Sequence, residues 1–236
     1  MAQRYHDDAD VAAVAQLFAD RSRSAMLFAL SDGRALAAGE LARLAGVSPA
    51  TTSAHLAMLV SASLLTVVSQ GRHRYYRLVE PRVIEAMESI AALAPRPAES
   101  AARALRALGV RAARTCYDHL AGALGVRLTD ALVAQRRLVL CARSYRVTEN
   151  GSAWFDEIGI EIPVVRERAD RTRRDFARAC LDWSERRWHL AGALGAALCA
   201  RCLDAGWIER RPASRAVRVT NSGRRVIRRH FGIAVD

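Results

Sequence analysis

The chain of 236 residues contains no lysine, so all 36 of its basic side chains are arginine. Together with the many alanines, this marks a GC-rich coding bias and carries little functional weight. No run of about 18 apolar residues is present to cross a bilayer, and the opening MAQRYHDDAD is polar, which argues against a spanning helix and a secretory leader and predicts a cytoplasmic protein with no membrane partner. Five cysteines, an odd number without a secretory signal, exclude a disulfide scaffold and predict reduced thiols. The chain also lacks an oxyanion loop, a phosphate loop and a nucleotide fingerprint, so nothing in it specifies an enzyme.

What is present begins with Glu40 to Leu65, ELARLAGVSPATTSAHLAMLVSASLL. ELARLA reads as a short helix with Leu41, Leu44 and Ala45 on its buried stripe, ended by the turn at Gly46. Ser48 then caps a second helix that carries Pro49 at its first position, where the missing N–H has no intrahelical partner to lose. Leu56, Leu59 and Val60 share one face of this helix and Thr52 leans the same way. Ala50, Thr51, Ala54, His55 and Met58 point outward, with Ser53 on the margin. LLTVVSQGRHRYYRL, from Leu64 to Leu78, supplies two β-rich runs around Ser69-Gln70-Gly71-Arg72, a hairpin signal. A helix-turn-helix followed by a basic hairpin is a winged helix. Its outward helical face suits the DNA major groove, and Arg72, His73 and Arg74 suit phosphate or the minor groove. The DNA-binding candidates are therefore Ser48, Thr51, Thr52, Ser53 and His55 on the helix and Arg72 and Arg74 on the wing.

These residues carry a family resemblance. The segment from Leu17 to Leu78 resembles the ArsR-type (ArsR/SmtB-like) winged-helix repressors, with an arginine-bearing first helix, a GELA-like second helix, the Ser53-x-His55-Leu56 pattern and a glycine-tipped wing ending in Tyr76-x-Leu78. The resemblance covers about the first 90 residues. It implies a homodimer that binds an imperfect inverted repeat in double-stranded DNA and lets go when a small-molecule inducer binds. Dimerisation would use residues Val11 to Leu30 and Pro81 to Leu93. Metal-sensing members carry cysteines in the helix before the recognition helix, or Asp/His ligands in the helix after the wing. Here ELARLAGV and PRVIEAMESIAAL contain no cysteine or histidine, so the usual family metal positions are empty and no cofactor is assigned there.

The net charge of +12 lies elsewhere. Residues 1 to 95 hold nine arginines and nine acids, whereas the remainder holds 27 arginines and 15 acids. That excess suits added phosphate contacts or an anionic ligand, and equally a soluble arginine-rich surface. APRPAES, residues 94 to 100, marks a boundary. Beyond it HLAGALG occurs at His119 and again at His189, Arg146-Val147-Thr148 returns as Arg218-Val219-Thr220, and Gly159-Ile160 returns as Gly232-Ile233, at offsets of 70, 72 and 73 residues. This is an internal duplication. Thr148 and Thr220 read as helix caps, each copy reads as helix, hairpin, helix, and the glycines of HLAGALG permit close approach between helices. The expected fold is mainly α with small β-hairpins (α+β), arranged as a winged-helix domain over 1–95, a linker or helix over 96–110, an αββα repeat over 111–163 and a second over 164–236, the last two forming a sensor domain.

Chemically suggestive residues open each copy, as Arg114-x-Cys116-x-Asp118-His119 and Arg178-x-Cys180-x-Asp182 followed by His189. On one helical face Cys116 and His119 would suit a soft metal or haem, with a buried thiol and a hydrogen-bonded histidine as the plainer reading. Nine residues place Cys180 and His189 on opposite sides of a continuous helix, so a second such site would need a helix break. Cys199 and Cys202 form a CxxC that core packing explains, since Leu190, Leu194, Leu198 and Cys202 make one stripe. Trp154, Phe155, Trp183, Trp188 and Trp207 among Arg186, Arg187, Arg210 and Arg211 read either as a cleft for an anionic ligand or as a tryptophan core. DWSERR suits an Asp182–Arg186 helical pair. The ligand-binding candidates are Cys116, Asp118, His119, Trp183, Arg186, Arg187 and His189. The leading function is a DNA-binding transcriptional repressor with a sensing second domain. The alternatives are an architectural DNA-binding protein whose arginine-rich domain adds nonspecific contacts, a metal-, haem- or thiol-based sensor using Cys116 and His119, and an enzyme using the same pair.

Overall fold

The computed structural model describes residues 10–70, 73–80, 82–94, 109–212 and 214–235. The chain divides into two compact units, Met1–Met87 and Glu88–Asp236. The expected linker 96–110 and the APRPAES boundary fall almost wholly outside the described residues, as does Arg72.

In the first unit, Asp10 and Asp20 cap α1 (Val11–Ala19) and α2 (Arg21–Ala29) by accepting the Ala13 and Arg23 N–H groups. Arg23 locks the turn between them by donating to the Leu17 and Gln16 carbonyls. β1 (Leu36–Ala37) leads into α3 (Ala38–Ala45), which stops at Gly46 with φ +68°. α4 (Pro49–Ser61) starts at Ser48, whose side chain accepts the Thr51 N–H. β2 (Leu65–Gln70) and β3 (His73–Leu78) pair antiparallel from Leu65 opposite Leu78 to Gln70 opposite His73, and β1 adds to β3. Met26, Leu27, Leu30, Leu41, Leu56, Leu59 and Leu65 make the buried centre. Leu44 departs from the expected stripe: it is 43% exposed, and Ala42 is buried instead.

The helix α5 (Arg82–Leu93) follows the wing. The second unit then contains the duplication as two runs of hairpin, helix, hairpin, helix. The first is β4 (Arg114–Cys116), β5 (His119–Ala121), α6 (Gly122–Ala134), β6 (Leu138–Cys141), β7 (Ser144–Val147) and α7 (Glu149–Glu157). After α8 (Ile162–Arg171) the second is β8 (Arg178–Leu181), β9 (Trp188–Ala191), α9 (Gly192–Asp204), β10 (Ile208–Arg210), β11 (Val217–Val219) and α10 (Asn221–Phe231). The expected helix–hairpin–helix order is present in each copy, as α6 to α7 and α9 to α10. In front of it stands a further hairpin.

That hairpin corrects the reading of HLAGALG. Its first three residues end a strand, and the helix begins only at the following glycine, Gly122 with φ +74° or Gly192 with φ +77°. The second glycine of each motif lies against its own strand, where a Cβ on Gly125 or Gly195 would stand 2.5 Å from the Leu120 or Leu190 carbonyl oxygen. The expected role of these glycines in helix–helix contact is therefore replaced by strand–helix packing. Strands β6, β7, β8 and β9 join the copies in one four-stranded sheet. Leu120, Leu132, Phe155, Leu190, Leu194, Leu198 and Ile227 fill the core. Thr148 and Thr220 cap α7 and α10 as expected, accepting the Gly151 and Gly223 N–H groups at 2.9 and 3.0 Å.

Candidate nucleic-acid interface and the buried polar cluster

On α4 the exposed residues are Pro49, Ala50, Thr51, Ser53, Ala54, Ala57, Met58 and Ser61. The Thr51 hydroxyl lies 2.9 Å from that of Ser48, so the cap also orients Thr51. Two expected contact residues turn away from this face. Thr52 is 1% exposed and donates its hydroxyl to the Ser48 carbonyl, because its position falls on the side that packs with Leu56 and Leu59. His55 is half-buried, with Nδ1 3.3 Å from an Arg23 guanidinium nitrogen and Nε2 3.6 Å from Asp20, so it ties α4 to the start of α2. On the wing Arg74 is exposed, with its guanidinium 5.7 Å from the centre of the Tyr76 ring. The face thus offers hydroxyls, methyl groups and one thioether, without the Arg, Asn or Gln side chains that make paired hydrogen bonds to bases.

The second unit hides its polar residues. Arg114 is fully buried and joins three elements. It donates to Asp182 at 2.9 Å and Glu88 at 3.3 Å, and to Ser184 and the Val110 carbonyl, while its guanidinium lies 5.0 Å from the centre of the Trp183 ring. Arg215 holds the other oxygen of Glu88 at 2.8 Å. Asp182 also accepts from the Gly122, Ser184 and Glu185 N–H groups. Burial alone would push its carboxyl up, but Arg114, the Ser184 hydrogen bond, His189 and the Glu185 N–H outweigh burial and hold it well below the usual carboxylate range. Asp118 is bound through both oxygens by Arg174, at 2.7 and 2.8 Å. There too burial is outweighed, by His119 and Arg174, and the carboxyl is held at about 2.

Between these carboxylates lie Cys116, His119, Cys180 and His189, all buried. Cys116 stands directly opposite His119 across the β4–β5 pair, and Cys180 directly opposite His189 across β8–β9. Opposed residues in an antiparallel pair point to the same face, so each hairpin presents one thiol and one imidazole. The expected helical placement of Cys116 and His119 is corrected to strands. The objection drawn from the nine-residue spacing of Cys180 and His189 goes with it, because the six additional residues add the strand pair Leu181–Trp188 and lengthen the hairpin loop by four, to Asp182–Arg187. The two imidazoles stack with centroids 5.1 Å apart and Nε2 atoms 3.1 Å apart. Burial disfavours charge on both rings, but Cys116 and Asp118 raise His119 to about 9, whereas burial and the neighbouring His119 charge lower His189. Contact with Cys180 and burial push the Cys116 thiol up to about 12.

The remaining candidates fall outside this cluster. Trp154, Phe155 and Trp207 belong to the core, with Trp154 edge-on to Phe155 and Phe231 and capped by Arg137 at 4.2 Å. For these three the core reading, of the two the sequence left open, is the one the structure shows, while Trp183 and Trp188 are half-buried. Trp183 covers the Arg114 network from the Asp182–Arg187 loop. Arg186 donates to the Ala94 carbonyl and Arg187 pairs with Asp130 at 2.9 Å, so the expected Asp182–Arg186 pair gives way to Asp182–Arg114. Glu88 and Arg174 were not foreseen at all, since their partners lie 26 and 56 residues away in the sequence. Cys199 and Cys202 are core residues whose burial raises both thiols, Cys199 to about 12. Cys141 is the exposed cysteine. One thiol per chain is therefore expected to react promptly with a disulfide reagent in the native state, and Cys141→Ser is expected to remove that phase; a prompt phase of two or more would contradict the burial of the other four.

A capped helix-turn-helix with an antiparallel wing defines the first unit as a winged-helix DNA-binding domain. A family model described as a helix-turn-helix domain matches residues 18–68. A Bacillus subtilis (strain 168) protein described as the uncharacterized HTH-type transcriptional regulator YdfF is 42% identical over 227 residues, covering 96% of this chain and 99% of its own. The chain belongs to the HTH-type transcriptional regulators, and its first unit carries the ArsR-type motifs set out above. Among solved structures it is similar to NolR from Sinorhizobium fredii, at 24% identity over 34% of this chain and 79% of that one with a TM-score of 0.32. It is also similar to the homodimeric winged-helix domain of Mb0332 from Mycobacterium bovis, at 23% identity over 39% and 99% with a TM-score of 0.30. No helix among the described residues is long and apolar enough to cross a membrane.

Proposed function

We propose that this regulator is a homodimeric repressor that reads an imperfect inverted repeat in double-stranded DNA and is released by a signal received in the second unit. The observation that carries the DNA-reading half is the exposed Thr51 and Ser53 face of α4 beside the exposed Arg74 of the wing, with Ser48 fixing the start of the helix. Apolar side chains left outside support self-association through α1 and α5: Val11 is 73%, Ile90 50% and Leu93 84% exposed. Two-fold symmetry would place the recognition helices about 34 Å, one DNA turn, apart. The poverty of base-reading side chains points to recognition through thymine methyls and DNA shape. The signal is an inducer of the second unit, acting in the cytoplasm, and catalysis has no part in it.

The test is selection of DNA by the full chain from a random pool, followed by affinity measurements on the recovered sequence. Half-sites with centres about 10–10.5 base pairs apart are expected. Thr51→Ala with Ser53→Ala should cost roughly 1–3 kcal/mol on that site and little on random DNA. Arg74→Ala should weaken both alike and lower the salt slope by about one. Recovery of no common sequence, with binding that depends only on salt, would instead favour the architectural reading that the arginine excess of the second half allows.

A further inference from the structure

The four donors Cys116, His119, Cys180 and His189 have one ligand atom each within 4.8 Å of every other, and all four residues are buried. Each repeat supplies one thiol and one imidazole on directly opposed strand positions, so the set is assembled by the pairing of β4 with β5 and of β8 with β9. Two sulfurs and two imidazole nitrogens are the donor set of a four-coordinate, thiophilic divalent cation. Hard cations such as Mg²⁺ and Ca²⁺ take oxygen ligands in larger number. Zn²⁺ in tetrahedral Cys₂His₂ coordination sets its donors roughly 3.3–3.8 Å apart, as follows from its bond lengths. The Nε2 atoms, at 3.1 Å, need only part slightly, and the most separated donors need close by about 1 Å.

What surrounds the donors fits the same ion. With Nε2 of each histidine turned to the centre, Nδ1 of His119 faces Asp118 at 3.5 Å and Nδ1 of His189 faces Asp182 at 3.7 Å, and neither Nδ1 makes a hydrogen bond. A carboxylate behind the second nitrogen is the usual support of a metal-bound histidine, fixing its tautomer and orientation. Both carboxylates are held in turn by arginine, Asp118 by Arg174 and Asp182 by Arg114. Binding Zn²⁺ to two thiolates and two neutral imidazoles releases the two thiol protons, and the extra proton of His119 where that ring is charged, to solvent and leaves the ion with its four ligands without net charge, which a fully buried position favours.

We infer that Cys116, His119, Cys180 and His189 form a closed tetrahedral site for one thiophilic divalent cation, best matched by Zn²⁺, which clips the hairpin of the first repeat to that of the second. The site differs from the family positions that are empty here, and it stands independently of the DNA-binding reading.

The experiment uses the full chain, reduced, stripped with a strong chelator and titrated with Co²⁺. Expected are the visible bands of tetrahedral Co²⁺ and a near-ultraviolet thiolate-to-metal band, both saturating at one equivalent and both abolished by Zn²⁺. Cys116→Ser and Cys180→Ser should each lose the thiolate band's full intensity and weaken Co²⁺ binding by about 100-fold or more, and Asp118→Asn should keep the bands while weakening binding about 10- to 100-fold. His119→Cys guards against misfolding, since a third thiolate should retain the tetrahedral bands and strengthen the charge-transfer band. Cys141→Ser and Cys199→Ser should behave as the parent. A stripped chain with intact far-ultraviolet dichroism that shows no tetrahedral bands, bands that survive Cys180→Ser unchanged, or a Cys116–Cys180 disulfide that persists through reduction would each overturn the assignment.

Discussion

Arg114→Leu is expected to destabilise the second unit by about 3–5 kcal/mol, since removing one partner of a buried ion pair leaves the others charged and unsolvated. The loss is felt at two buried carboxylates: Asp182 gives up its guanidinium partner, while Glu88 keeps Arg215 on its other oxygen. Leucine fills part of the volume but supplies none of the four hydrogen-bonded contacts to Val110, Ser184, Glu88 and Asp182. Chemical denaturation followed by tryptophan fluorescence reports the change, because Trp183 lies on the guanidinium. The corresponding fall in Tm for a domain of this size is roughly 6–20 °C. Arg114→Lys should recover only part of the loss, since an ammonium can stand in for the one nitrogen that serves both carboxylates but not for the second, which donates to Ser184 and the Val110 carbonyl. A loss below about 1 kcal/mol for Arg114→Leu would mean that the carboxylates find other partners or water, in the range measured for exposed pairs.

Gly223→Ala is expected to cost about 3 kcal/mol or more, at the upper end of what overpacking does. A Cβ there would stand 1.9 Å from the Trp207 carbonyl oxygen, which cannot retreat without breaking the Thr220 N–H bond it accepts at 3.0 Å. The same arrangement recurs in the first copy, where a Cβ on Gly151 would lie 2.0 Å from the Arg137 carbonyl oxygen, an acceptor for Thr148 N–H at 3.1 Å. Gly151→Ala should therefore cost a similar amount. Gly206→Ala is the control: no atom lies within 4 Å of its Cβ position, so its cost is confined to the backbone strain of φ +66°. Thermal unfolding of the three variants separates steric overlap from conformational strain, and equal losses in all three would refute the overlap argument.

The winged helix was legible because its boundaries are written in local chemistry. Ser48 and Pro49 start α4, Gly46 ends α3, and the β-branched and aromatic runs on either side of the wing tip have no helical alternative. Thr52 faces inward as its place beside Leu56 and Leu59 foretold, at odds only with its choice as a contact candidate, whereas His55 was read as outward and is drawn in by Arg23 and Asp20, which periodicity does not reveal. HLAG was read as helix because alanine and leucine favour helices, and nothing local says that its first three residues pair with the strand before them. Once the helix was assumed, the cysteine and histidine of the second copy could not meet. A signal did exist: the cysteines of the two copies are 64 residues apart and the histidines 70, a mismatch that a hairpin loop absorbs and a helix does not. Arg114 was seen as part of a repeated R-x-C-x-D pattern, but burial of an arginine runs against the general rule, and its partners come from distant parts of the chain.

Because each copy contributes one sulfur and one imidazole, a chain with a single copy could complete the four-donor set only by meeting another such chain face to face. The duplication brings that encounter inside one polypeptide. The meeting of the two half-sites then takes place at a local concentration fixed by the covalent connection through α8, and no longer varies with how much of the protein the cell makes.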